Sequence, residues 1–276
     1  MQNSFSYNIL VTLDKNYLHV LSVMLSSLAS SDPYGDFTVY IAHNSLTQED
    51  FDRLSQILPG FHFVNVFIPD DFLKDAPISD RYPKEMYFRI FASRFIPKEI
   101  DRILYLDPDL VVLNSLRELY AISFGNKLFA AASHIESFSF EMFNRYRLHL
   151  PEGTRYINSG VMMMNLSLLR QLQQEKDVFD FINSHKYSLM LPDQDVLNAL
   201  YADKTLFLDP LRYNLGEKYL HLHNIKLPKE KQLSVDWVRN NCCIVHYYGR
   251  NKPWKPNYKG QLDVFYKEYE QALLGK

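Results

Sequence analysis

This sequence predicts an α/β fold: a mixed, mostly parallel sheet flanked by helices. Three observations carry that expectation. From residue 8 onward, apolar runs of strand length alternate with stretches of helical period, strand–helix–strand–helix–strand up to residue 67. At 103–106 the run Ile-Leu-Tyr-Leu is apolar throughout, the pattern of a strand buried on both faces of a sheet. The 276 residues are 47% hydrophobic and 22% charged, a folded composition rather than a disordered one. The βαβαβ start makes the expected sheet Rossmann-like, and the length suits one large domain.

Residues 8–12 form the first strand and end in the polar turn 13–17. A helix follows, with Tyr17, Val20, Leu21, Met24, Leu25 and Leu28 at helical spacing. Residues 37–41 are the second strand. Thr47, with Glu49 and Asp50 behind it, caps a helix that runs to about Leu58, where Pro59-Gly60 stops it. Residues 61–67 alternate as the third strand. A loop rich in Pro and Asp spans 69–83, and 85–95 reads as a helix. Strands are expected at 103–106, 110–113 and 128–132. Residues 134–155 show no clear period and suit a loop or small helical insert. The run 161–165 is core filler, its methionines packing rather than contacting a cofactor, and Gly160 before it permits close backbone approach. Helices follow at 166–184 and from Pro192 to Leu200. Residues 203–240 are expected to be irregular, 242–246 to be a buried strand, and 255–275 a mixed aromatic helix.

Composition excludes several classes of function. A net charge of −2 provides no basic field for nucleic acid. The first strand is not followed by Gly-x-Gly-x-x-Gly, so a dinucleotide site of the usual kind is not expected. The only cysteines, Cys242 and Cys243, are adjacent and can build neither a disulfide scaffold nor a four-cysteine zinc site. The N-terminus lacks a signal-peptide pattern and no run of about 20 apolar residues exists, so a cytoplasmic protein is expected. The C-terminal helix carries Tyr, Phe and Lys, compatible with weak docking at the inner membrane face, although Asp263, Glu268 and Glu270 oppose strong binding.

Several residues stand out chemically. Asp107 and Asp109 are wedged between two buried strands, with Pro108 bending the chain between them. Unpaired buried carboxylates cost many kcal/mol, so a cation belongs beside them. Hard oxygen ligands at this spacing suit Mn²⁺ or Mg²⁺ shared with substrate phosphates. An acidic turn capping a helix near 116–120 fits the same residues. Ligands of parallel sheets sit beyond the carboxyl ends of the strands, which is where Asp14 and Asn16 fall; a ligand-free Asx turn explains these two equally simply. Arg89 among apolar neighbours either snorkels to solvent or grips a phosphate or carboxylate. Asp193-Gln-Asp195 crowds the first turn of a helix, where one acid could be a cap; the glutamine between them is harder to explain that way. His246 ends a strand, with Gly249 and Lys252 close behind, an arrangement that resembles a diphosphate clasp more than a core histidine.

Taken together, these segments resemble the retaining glycosyltransferases of family 8. The resemblance rests on four motifs in order: Asp107-Pro-Asp109 after Ile-Leu-Tyr-Leu, Asn158-Ser-Gly-Val161 with Asn165, Asp193-Gln-Asp195, and His246-x-x-Gly249-x-x-Lys252-Pro-Trp254. It covers nearly the whole chain. It implies a GT-A fold over residues 1–276, with a nucleotide-binding half at 1–113, a donor-sugar and acceptor half at 114–255 and a C-terminal helix at 256–276. It also implies a UDP-sugar donor and a divalent metal, usually Mn²⁺, held by Asp107, Asp109 and His246. Asp14 and Asn16 would read the uridine, Arg89 would hold the sugar side of the donor, and Gly249 and Lys252 would bind the diphosphate. Asn158, Asp193 and Gln194 would face the donor sugar and its reacting carbon.

The activity implied is metal-dependent transfer of a hexose, glucose or galactose, to a glycan or other hydroxyl acceptor, with retention of configuration. Gln194 and Asp193 are the candidate catalytic residues; because an amide is a poor nucleophile, front-face attack is favoured over double displacement. Some galactosyl-transferring relatives carry an aspartate where this chain has Ser133-His134 with Glu136 nearby, so both hexoses stay open. Two other classes compete: a catalytically silent sugar-nucleotide-binding protein and a nucleotidyltransferase. The first usually loses an acid or the histidine, all present here. The second would carry a Gly-rich basic loop where this chain has residues 13–17.

Overall fold

The computed structural model describes residues 4–73, 85–133 and 138–275. In chain order the first half holds β1 (Phe5–Thr12), α1 (Leu18–Ser31), β2 (Gly35–His43), α2 (Gln48–Ile57), β3 (Phe61–Phe67), α3 (Glu85–Phe88), α4 (Ala92–Phe95), β4 (Arg102–Leu106), β5 (Leu110–Val112) and α5 (Arg117–Tyr120). The second half holds β6 (Phe129–Ser133), α6 (Phe138–Leu148), β7 (Ile157–Asn165), α7 (Leu166–Leu172), α8 (Glu175–His185), α9 (Pro192–Tyr201), β8 (Thr205–Leu208), α10 (Pro210–Tyr213), α11 (Glu217–Asn224), α12 (Val235–Asn241), β9 (Ile244–His246) and α13 (Asp263–Leu274).

Among the described residues the main sheet has 7 strands in the order β3-β2-β1-β4-β7-β6-β8. Pairings β1–β2, β2–β3, β1–β4 and β6–β8 are parallel. Only β7 runs antiparallel to its neighbours, β4 and β6. The expected mixed, mostly parallel sheet is therefore present. Its core lies on both faces. The methionine run of β7 shows why those residues are there: Met163 packs into one layer with Ile9, Val39 and Leu104, whereas Met162 and Met164 pack into the other with Tyr105 and Phe129. Alternating faces of a strand require that division.

The chain leaves the main sheet at the Asp107-Pro108-Asp109 bend. β5 pairs antiparallel with β9 in a separate two-stranded ribbon, which sets Leu110 opposite His246. One long-range pairing thus brings the histidine to the acids across a sequence gap of more than a hundred residues.

Four segments depart from expectation. The helix predicted over 85–95 is broken into α3, a 3-10 turn Arg89–Phe91, and α4. The break falls where Arg89 Nε donates back to the Met86 carbonyl (3.0 Å), and mid-helix 3-10 stretches often mark functional strain. The helix predicted over 166–184 splits into α7 and α8 at Gln173 and Gln174. Gln173 is drawn into tertiary bonds, donating to the Ile90 carbonyl (2.9 Å) and accepting from Ser93 Oγ (3.0 Å). Residues 203–240, expected to be irregular, instead hold the edge strand β8 and helices α10, α11 and α12. Each is short, and a strand of four residues gives periodicity little to act on. The helix expected over 255–275 begins at Asp263. Of the loop expected over 69–83, residues 74–83 lie outside the described residues, as do His134 and Glu136.

Candidate active site

Asp107, Asp109 and His246 each offer a ligand atom, and these atoms all lie within 4.8 Å of one another. His246 Nε2 is 3.2 Å from Asp109 Oδ1 and 3.6 Å from Asp107 Oδ2. Its Nδ1 lies 2.7 Å from Asn214 Oδ1. Asn214 thus orients the ring from behind, and Nε2 faces the two carboxylates. Two carboxylates and an imidazole converging on one point suit a cation among the three groups. A divalent ion fits this donor set, two hard oxygens and one imidazole nitrogen whose orientation is set from behind. Gly160 leaves the space: a Cβ there would sit 2.2 Å from His246 Cε1 and 2.5 Å from Asp107 Oδ2.

Cations of the chain surround the acids. Lys252 Nζ contacts Asp109 and donates to the Tyr247 carbonyl at 3.0 Å. Burial works to raise the Asp109 carboxyl, but the Lys252 ammonium and His246 outweigh it and hold it well below the usual carboxylate range. Arg89 is buried, so the snorkelling alternative does not apply. Its Nη1 meets Asp107 Oδ1 at 3.0 Å and its Nε meets Asp193 Oδ2 at 3.3 Å, while its plane lies 4.4 Å above the Tyr105 ring. Burial pushes the Asp193 carboxyl up despite Arg89.

Arg89, Asp107, Asp109, Asp193 and Lys252 line a cavity of about 620 Å³, together with Asp14, Asn158, Gln194 and Gly249. Gly249 adopts φ +82°, a left-handed conformation that favours glycine. Gln194 Oε1 accepts from Asn158 Nδ2 and from the Ser159 backbone N–H, both at 3.2 Å. The backbone donor fixes which end of the amide is oxygen. Gln194 Nε2 is buried without a hydrogen-bond partner among the described residues. Asp14 closes an Asx turn on the Asn16 N–H (2.7 Å), and Asn16 is exposed and outside the cavity wall. The first turn of α9 divides its acids as the sequence could not. Asp193 faces Arg89, whereas Asp195 accepts from Met190 N (2.7 Å), Tyr156 Oη (2.6 Å) and both Arg147 nitrogens (2.7 and 2.8 Å), a structural cap.

Sequence reasoning assigned no role to Asn214, Tyr105 or Ser159. Tyr105 Oη donates to Asp107 Oδ1 at 2.6 Å, and Ser159 Oγ donates to Asp193 Oδ2 at 3.0 Å. Tyr105 was discoverable, since residues i and i+2 of a strand share a face. Asn214 carried no local signal, because its partner lies 32 residues away.

A switch-point cavity of this build, with paired acids, an imidazole and a lysine at the ends of central strands, defines a glycosyltransferase of the GT-A fold. The chain belongs to glycosyl transferase family 8, whose model matches residues 8–257. It is 29% identical to a lipopolysaccharide 1,2-glucosyltransferase of Escherichia coli over 90% of this chain and 73% of that protein. It is 28% identical to general stress protein A of Bacillus subtilis, over 89% and 86%, and 24% identical to a lipopolysaccharide 1,3-galactosyltransferase of Salmonella typhimurium, over 90% and 73%. In fold it is similar to the galactosyltransferase LgtC crystallised with donor and acceptor sugar analogues: TM-score 0.81, 19% identity, 96% of this chain and 95% of that one.

Proposed function

We propose that this chain transfers a hexose, glucose or galactose, from a UDP-sugar to a glycan hydroxyl with retention of configuration, and that Asp107, Asp109 and His246 hold the divalent ion, Mn²⁺ or Mg²⁺, that the reaction needs. The observation that carries this reading is the convergence of ligand atoms from Asp107, Asp109 and His246 within 4.8 Å of one another, with both acids and Lys252 lining a cavity of about 620 Å³. A bound divalent ion would supply Lewis-acid stabilisation of charge on the departing diphosphate. Lys252 and the open backbone at Gly249 would bind that diphosphate, Asp14 the uridine, with Asn16 holding the Asp14 turn rather than lining the cavity, and Arg89 the sugar side. Arg89, already spanning Asp107 and Asp193, would tie the sugar pocket to the acids.

The Gln194 amide oxygen, occupied by two donors, is poorly placed to attack a sugar carbon, and its free N–H group suits a sugar or acceptor oxygen. That supports front-face attack, in which the acceptor hydroxyl enters beside the leaving group and loses its proton to the diphosphate. Asn158 and Asp193 would position the donor sugar. The lipopolysaccharide enzymes among its relatives support an acceptor glycan carried on a lipid, reached from the cytoplasmic face. No helix of the described residues is long and apolar enough to cross a membrane.

UDP release measured over a panel of UDP-sugars, with and without Mn²⁺, tests the reading. Release of UDP with a hexose donor, dependent on metal and lost in Asp107→Ala and Asp109→Ala, is expected. Tight metal-dependent UDP binding with no turnover on any acceptor would leave a silent binding protein, and pyrophosphate as product would make it a nucleotidyltransferase.

A further inference from the structure

Helix α6 buries Leu148 and packs Phe140 against the core, yet it also presents large apolar side chains on its outer face. It buries Asn144, at 1% exposure, and exposes Met142 (54%), Phe143 (50%) and Tyr146 (84%). Residues 142, 143 and 146 are helix-surface neighbours, so the three form one patch. Native proteins rarely display large apolar side chains together without a use. The helix is also firmly placed. Arg147, one residue beyond Tyr146, makes the two-nitrogen ion pair with Asp195 and donates to the Ser188 carbonyl at 3.1 Å. That contact ties α6 to the segment that carries Tyr187, 94% exposed, with Lys186 Nζ 4.9 Å above its ring.

We infer that this face of α6, with Tyr187, docks on an anionic lipid surface. Exposed Arg145 and Lys186 accompany the apolar side chains, the combination that interfacial helices use: rings and thioethers among the headgroups, cations toward anionic phosphates. The buried side of the same helix, through Asn144 and Arg147, forms part of the cavity wall, so docking here holds the cavity within one helix diameter, about 10 Å, of the bilayer. The C-terminal helix is less suited. Phe265 and Tyr266 of α13 are fully buried, leaving Val264 and Leu274 exposed among acids. The inference builds on the lipid-held acceptor proposed above, and UDP release in solution tests that reading separately.

The test is co-sedimentation of the full chain with phosphatidylcholine vesicles, with and without phosphatidylglycerol. Binding to the anionic vesicles that weakens with salt is expected. The triple variant Met142→Ser, Phe143→Ser, Tyr146→Ser should lose at least about tenfold in vesicle affinity, 1.4 kcal/mol, while keeping wild-type UDP release in solution. In a separate Phe143→Trp variant, anionic vesicles should blue-shift the indole emission and brominated lipid should quench it. Three outcomes would overturn the inference: unchanged emission, vesicle binding lost in Val264→Ser, Leu274→Ser but not in the triple variant, or a protein dimer that the triple variant dissociates.

Discussion

Gly160 governs how closely the ligating groups approach. Any side chain there would press on His246 and Asp107 at once. Gly160→Ala is expected to weaken Mn²⁺-dependent UDP binding by about 10–100-fold, the scale of displaced ligand orientation, with little change in melting temperature; isothermal titration calorimetry reads it. Lys252 is the cation in contact with Asp109 on the cavity wall, where the proposed function places the diphosphate. Lys252→Met should cost UDP about tenfold or more in affinity, as expected of one lost charge-assisted contact, and leave uridine binding unchanged. Equal losses for both ligands would remove the lysine from the diphosphate. If Gln194 donates through Nε2 rather than attacking, Gln194→Ala should lower turnover far more than donor affinity, and no glycosyl-enzyme should be trapped on residue 194 by mass spectrometry. Asp107 and Asp109 were legible as chemistry because they are charges between two apolar runs, Asp193 because two acids crowd one helix start, and Lys252 because it follows His246 and Gly249 at close spacing. Asn214 was not, because what it does depends wholly on which residue the fold places against it.

Secondary elements were legible where one period ran long enough. The first three strands and two helices match expectation within a few residues, and Thr47 forms the full capping box with Asp50. Breaks were not legible at Arg89 or Gln173, since both arise from bonds to distant partners. The joint between α6 and α9 is of the same kind. Asp195 is fully buried and depends on Arg147 for its countercharge. Arg147→Met should therefore cost about 3–5 kcal/mol, the usual penalty for stranding a buried charge. Urea unfolding reads that cost, and the metal-dependent UDP binding of the folded fraction should survive.

At the scale of the molecule, stability should depend on acid in one direction. The Arg117 contact, above all, holds the Asp32 carboxyl below its ordinary value, and the Thr47 backbone N–H does the same for Asp50. A depressed carboxyl stabilises the fold above its unfolded pKa of about 3.9 and loses that contribution as pH falls through the folded value. The urea midpoint should thus hold level with respect to these two groups from pH 7 to 5 and decline below about 4, and Asp32→Asn should shallow the decline. The sequence by itself determined the βαβαβ start, the buried strand before the acids, and which side chains carry charge into the site, because local period and residue chemistry are properties of short segments. Only the tertiary structure decided that a two-stranded ribbon delivers His246 to Asp109, that Asp195 serves the fold while Asp193 faces the cavity, and that α6 leaves Met142, Phe143 and Tyr146 exposed. Those outcomes depend on contacts between residues far apart in the chain, and no local pattern encodes which partner a side chain will meet.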